Sequence, residues 1–268
     1  MPTRLARSPL SKLLVVASFL AAGCSAPSLR ITPRVAFVDL DGTFAATAGA
    51  VNSGSSVEDL GLDDTETEFI PRADFEFGPF QWTVDYGTLG FSGSGIADNQ
   101  ITIGGVTVPA SGAVDSEIDL ALYRSTFTWD LVPSDTVDLG LGFGLGAAEV
   151  SATITDRQVG SPTEGQSATT EELIPLPYAA ASATFTFGDF GVEGLLGLFS
   201  IDVEDVEVQY FDLDLNAYWQ FVDVGGAGFR LTGGWRLIDV QAQYDDADDF
   251  VDADLEFSGP YAGITVVL

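Results

Sequence analysis

Residues 137–146 read VDLGLGFGLG, in which Val137, Leu139, Leu141, Phe143 and Leu145 alternate with Asp138, Gly140, Gly142, Gly144 and Gly146. A repeat of two is the side-chain period of a β-strand, because successive Cβ atoms point to opposite faces. One face of this segment is continuous hydrocarbon, and the other carries almost no side chain. The same period runs outward in both directions. Towards the N-terminus, Val38, Leu40, Phe44 and Ala46 alternate with Asp39, Asp41 and Thr43. Phe69, Ala73, Phe75 and Phe77 oppose Arg72, Asp74 and Glu76, and after Gly78-Pro79 the residues Phe80, Trp82, Val84 and Tyr86 alternate with Gln81, Thr83 and Asp85. Ile118, Leu120 and Leu122 alternate with Glu117, Asp119 and Ala121. Towards the C-terminus the pattern returns over 181–187, 211–220 and 229–237, with less regular strands near 190–202 and 254–268. Helical periodicity is nearly absent. The reading is about ten strands, within bounds of about eight and twelve.

The connections alternate in length. Residues 48–67, 93–114 and 150–175 are long, polar and rich in Gly, Ser, Thr and Asp, whereas links near 78–79, 131–136, 188–189 and 222–227 are short. Long loops at one end and tight turns at the other are expected of an up-and-down transmembrane β-barrel. Strands of about 10–13 residues suit a tilted bilayer crossing of about 9–11 and exceed the soluble norm of about 5–6. Trp82, Trp129, Trp219 and Trp235 lie towards strand ends, where interfacial aromatics belong. The expected fold class is therefore all-β, an antiparallel barrel with apolar side chains facing lipid. Arg124 sits on the apolar parity of its strand, and is expected to snorkel or to follow a shift of register. The face switch between Glu256 and Ile264 predicts a bulge near Ser258-Gly259.

The first residues differ in kind. Arg4, Arg7 and Lys12 precede an apolar run from Leu13 to Ala22, the layout of an export signal. The end of that run, Leu20-Ala21-Ala22-Gly23-Cys24, resembles a bacterial lipobox, which implies lipidation at Cys24; Ala21 stands where Leu is usual. The domain reading is a signal peptide over 1–23, a short linker over 24–33 and a barrel over 34–268. With 10 Lys and Arg against 40 Asp and Glu, the formal charge is −30. That excess of acid argues against nucleic-acid binding, which needs clustered cations.

The C-terminal Tyr261-Ala262-Gly263-Ile264-Thr265-Val266-Val267-Leu268 resembles the assembly signal of outer-membrane barrels through Tyr261, Gly263, Val266 and Leu268, although such proteins usually end in an aromatic. The whole chain resembles small Gram-negative outer-membrane barrels of the OmpA-like or porin-like superfamily. Residues 58–67 look like the acidic first loop of one uncharacterised group. The resemblance implies placement in the cell outer membrane, contact with lipid and lipopolysaccharide, and recognition of the last strand by the barrel assembly machinery.

The chain has no histidine, which removes Ser-His-Asp and Cys-His arrangements and histidine-containing metal sites. No enzymatic activity and no cofactor are expected. Acid-rich loops containing Asp63, Asp64 and Glu66, and Asp245, Asp246, Asp248 and Asp249, offer oxygen ligands for Ca²⁺ or Mg²⁺, or form a solvated surface. The polar strand faces, which carry Asp39, Asp41, Asp74, Glu76, Asp85, Glu117, Asp119, Asp138, Asp212 and Asp214 with Arg72, Arg230 and Arg236, are expected to line the lumen. Unpaired carboxylates there are costly, so the interior is either a narrow hydrated cation-selective channel or a lumen plugged by Arg–carboxylate pairs. The leading reading is an outer-membrane barrel with a structural or surface-interaction role. The rivals are that channel and a soluble lipocalin-like barrel holding an apolar ligand.

Overall fold

The computed structural model describes residues 27–48, 55–62, 65–103, 106–132, 134, 136–203, 206–246 and 249–268. Ten barrel strands run in chain order, all antiparallel to their neighbours. Strand β1 comprises Ser28–Thr32 and Arg34–Ala48, interrupted at Pro33; β2 comprises Glu66–Phe69 and Arg72–Phe77. Then follow β3 (Phe80–Ala97), β4 (Gly112–Asp130), β5 (Val137–Asp156), β6 (Ser167–Phe187), β7 (Phe190–Val203), β8 (Val206–Val224), β9 (Ala227–Asp246) and β10 (Asp249–Val267). The last strand meets the first through Tyr261↔Ala36, Gly263↔Arg34 and Ile31↔Val266, which closes the sheet. Strands β6 and β7 pair only from Phe187↔Phe190 up to Ala179↔Leu198; above that height β6 pairs with β5 and β7 with β8. The span 24–33, read as a linker, thus contains barrel strand. Tight turns join the lower ends. At Gly225-Gly226 both residues have positive φ, the conformation of the two-residue hairpin turn that suits strand twist.

The strands are longer than the sequence suggested: β7 has 14 residues and β6 has 21. Segments near 93–97, 112–114, 150–156 and 167–175, taken for loops, are barrel wall. The extra length has a distinct chemistry. In the lower half, next to the turns, outward side chains are apolar, with Phe143 62% and Leu145 63% exposed. Inward side chains there are charged or hydroxylated, among them Arg72, Asp74, Thr126 and Asp212. In the upper half the sense is reversed. Val38, Leu40, Leu89, Phe91, Ile118, Leu120, Ile154, Ile238 and Phe257 are buried inside, while Asp39, Asp41, Glu117, Asp119, Glu149 and Glu256 point out.

A lower belt of hydrocarbon faces acyl chains; above it the same wall faces water and encloses an ordinary apolar core. Tyr86 and Tyr123, packed with ring centroids 4.9 Å apart, mark the upper edge on β3 and β4. Phe80 against Trp129 and Phe190 against Trp219 mark the lower edge. Aromatic girdles at both boundaries are the membrane-interface signature.

This arrangement corrects several expectations. Asp39, Asp41, Glu117 and Asp119 lie on the outer wall, because at their height the exterior is water. Arg124 neither snorkels nor marks a slipped register: its neighbours pair continuously with β3 and β5, and its side chain is buried at 4% exposure. No bulge occurs near Ser258-Gly259, since Ser258↔Leu237 and Ile264↔Leu231 keep one register. The mouth above the apolar core is covered by chain that no local pattern marked as folded. Val57, Leu60 and Leu62 bury against it, with Ile96 N donating to Asp59 O at 2.8 Å, and a hairpin of Ile101–Ile103 with Val106–Val108 buries Ile101, Val106 and Val108.

Candidate functional site

Strand alternation places Asp212 and Asp214 side by side on the inner face of β8, each 0% exposed. A carboxylate in such a place must be ion-paired or hydrogen-bonded. The opposing strands supply the partners in three tiers.

Uppermost, Arg124 on β4 donates Nε to Asp85 at 2.7 Å and Nη1 to Asp212 at 2.5 Å. Arg236 on β9 reaches the same two acids at 3.2 and 3.1 Å, and the Tyr210 hydroxyl donates to Asp212 at 2.8 Å. In the middle, Asp214 receives Arg34 at 2.8 Å, Arg72 at 3.5 Å, Arg124 at 3.5 Å and the Tyr261 hydroxyl. Arg34 also stacks on the Tyr261 ring, 4.8 Å from its centroid. Lowest, Asp74 takes Arg72 at 2.8 Å and the Thr83 hydroxyl at 2.7 Å. Arg30 bridges Glu193 at 2.5 Å and Glu76 at 2.9 Å. Arg230 lies at 3.9 Å from Glu193 and over the Tyr218 ring.

Six arginines thus meet six carboxylates inside a chain whose formal charge is −30. The lumen is matched in charge and the acid excess lies elsewhere. Tyrosine rings complete the filling by lying over glycines on adjacent strands, Tyr178 over Gly144 and Gly197, and Tyr218 over Gly191. That accounts for Gly144 on the bare face of 137–146; there Gly140 instead faces the Ser182 hydroxyl and Gly142 the backbone of Phe127 and Thr128. The spaces within the layer and at its junction with the apolar core are cavities of about 20 Å³ each, the size of one or two waters.

The sequence-based lumenal set divides. Arg72, Asp74, Asp212, Asp214 and Arg236 are in the buried network, Arg230 is at its lower rim, and Asp119 is outside it. Reading the sequence missed Arg30, Arg34, Arg124 and Glu193. The available signal was scarcity: an Arg inside alternating strands of so acidic a chain has few reasons to be there other than a carboxylate partner.

Cys24, the leader, Asp63, Asp64 and Asp248 fall outside the described residues. Glu66 lies in β2 with its backbone opposite Val38. Asp245, Asp246 and Asp249 stand where β9 meets β10, with Asp246 opposite Asp249. Among the described residues no group of three or more Asp, Glu, His or Cys is arranged to hold a metal.

No protein-family model matches the chain, and no curated protein matches it. Solved structures do. The outer membrane protease OmpT from Escherichia coli superimposes with a TM-score of 0.54 at 10% identity, covering 89% of this chain and 97% of that one. The toluene transporter TbuX of Ralstonia pickettii gives 0.36 at 9% identity over 91% and 89%. The transport unit of the Escherichia coli autotransporter AIDA-I gives 0.36 at 9% over 94% and 96%. The expectation of no enzymatic activity is corrected by the first of these: its fold carries a protease, so lack of histidine removes particular mechanisms and not catalysis as such. At these identities the likeness speaks for the fold, and the fold is that of a Gram-negative outer-membrane β-barrel: closed, antiparallel and ten-stranded.

Proposed function

We propose that this chain is an integral outer-membrane barrel, closed to solute, that acts through its acidic upper wall and loops as a surface-interaction protein. The observation that carries this reading is the division of charge. Arg–carboxylate pairs fill the lower lumen and a packed apolar core fills the upper one, while unpaired acids point outward just above the lipid belt. That height is where lipopolysaccharide phosphates are bridged by Ca²⁺ or Mg²⁺, so the partner would be lipopolysaccharide engaged through hydrated divalent ions. The acidic segment 58–67 and its likeness to a first-loop motif fit the same role, as do a leader over 1–23 followed by Cys24 and a last strand read by the assembly machinery. Strand β1 starts at the tight-turn end, which is the periplasmic side on this reading.

The test has two arms. In planar bilayers the folded chain is expected to pass no current in potassium or sodium salts; discrete conductance steps would restore the cation channel. In bilayers with and without lipopolysaccharide, the melting temperature is expected to rise only when both lipopolysaccharide and Mg²⁺ are present. An equal rise with lipopolysaccharide alone would remove the cation-bridged contact.

A further inference from the structure

The cavity at the lower end of the ion-pair layer has a chemistry that its protein neighbours leave unsatisfied. Its volume is about 20 Å³, room for one particle of water or halide size. Three polar atoms of residues lining it have no hydrogen-bond partner among the described residues: Arg30 Nε, Arg34 Nη2 and Asn216 Oδ1. These residues are 6%, 2% and 6% exposed, and buried polar groups of native proteins rarely stand without a partner. The hydroxyls of Thr232 and Thr265, which bond each other at 2.8 Å, share the same lining.

Charge adds a second argument. The cavity wall carries four guanidinium groups, of Arg30, Arg34, Arg72 and Arg230, against two carboxylates, of Asp74 and Glu193. The lumen as a whole is matched, but the wall of this cavity bears an excess of positive charge, and Arg230 stands there with its ion pair stretched to 3.9 Å. A water molecule would answer the hydrogen bonds and leave the charge. The orphan Asn216 atom is an acceptor, Oδ1; half a turn of the amide exchanges its oxygen for the NH₂ group and presents a further N–H donor, so that guanidinium, amide and hydroxyl groups converge.

We propose that this cavity binds one small monovalent anion of halide size, entering from the periplasmic end. The full chain, folded in detergent, is crystallised in bromide and melted as chloride replaces gluconate at constant ionic strength. The expected results are an anomalous bromide peak in the cavity and a melting temperature rising roughly 3–5 °C per tenfold chloride above half-saturation. Asn216→Leu, which fills the space, and Arg230→Gln, which removes the surplus charge at the rim, are expected to abolish both. Absence of the peak, or a chloride response unchanged in Arg230→Gln, would mean that the cavity holds water only. Should Asn216→Leu fail to show the gel mobility of a folded barrel, Arg230→Gln alone decides.

Discussion

Asp214 is the residue on which most of the lumen converges. It accepts from three arginines and a tyrosine, and its side chain is 0% exposed. Removing one member of a buried ion pair leaves the others charged and without compensation, a loss of about 3–5 kcal/mol. Asp214→Ala is therefore expected to lower the temperature at which the folded, fast-migrating form disappears on unboiled gels. Asp119→Ala, on the wet outer wall of β4, is expected to leave it unchanged. If the two variants melted alike, the network would be filling and not support. A similar argument applies to Gly144, where a Cβ would collide with the Tyr178 ring. The ring is held by a 2.6 Å hydrogen bond between its hydroxyl and Thr126, so it has little freedom to move. Gly144→Ala is expected to cost about 1–3 kcal/mol by overpacking, partly recovered in the double variant with Tyr178→Leu, as thermal melts of the three proteins would show.

At the scale of the element, β4 shows what alternation reports and what it hides. Its inward residues run Ile118, Leu120, Leu122, Arg124, Thr126, Thr128, and its outward ones Glu117, Asp119, Ala121, Tyr123, Ser125, Phe127. The geometry never changes; the solvent outside does. Ten strands and their tight turns were legible because period two and turn glycines are local properties. The inside was not, because alternation says that two faces differ without saying which one meets water, and that answer reverses between Leu122 and Arg124. The same reversal on β10 looked like a bulge, and Ser- and Thr-rich wall looked like loop. Spin labels on the outer face of β5 read the reversal directly: Leu141 and Phe143 are expected to be accessible to oxygen, and Glu149 and Thr153 to a water-soluble relaxer. Lipid-like behaviour along the whole strand would overturn the two-zone wall. The loop over the mouth has its own titration. Repulsion from the neighbouring Asp59 carboxylate, and then the hydrogen bond they share, holds Asp98 above the usual carboxylate range. A raised value in the folded state means that the proton favours folding, so this contact is strongest in acid and weakens as pH rises through the Asp98 value. Protection of the Ile96 amide, which donates to Asp59 O, is expected to be greater at about pH 4 than at about pH 7 after correction for intrinsic exchange. Asp98→Asn should flatten the difference.

For the whole molecule, strand length and charge lead to one conclusion. On β5 the outward apolar run from Val137 to Ala147 covers about 33 Å along the strand, or roughly 25 Å of height at a usual tilt, which equals the hydrocarbon band of such barrels. The strand continues to Asp156, so the wall stands roughly 20 Å above the lipid. That projecting wall carries the acid: of the arginines, Arg157 alone among the described residues lies outside the lumen, paired with Asp115 at 3.1 Å. Like charges on a wall in water repel, and salt screens them within about 10 Å at 0.1 M. The folded barrel is therefore expected to gain melting temperature as sodium gluconate rises from low ionic strength. Asp39→Asn and Glu256→Gln, which thin the wall charge without touching the lumen, are expected to shrink that gain. A melting temperature falling with salt in the same series would show the buried ion pairs to be the salt-sensitive part, and with them a lumen far wetter than its packing implies.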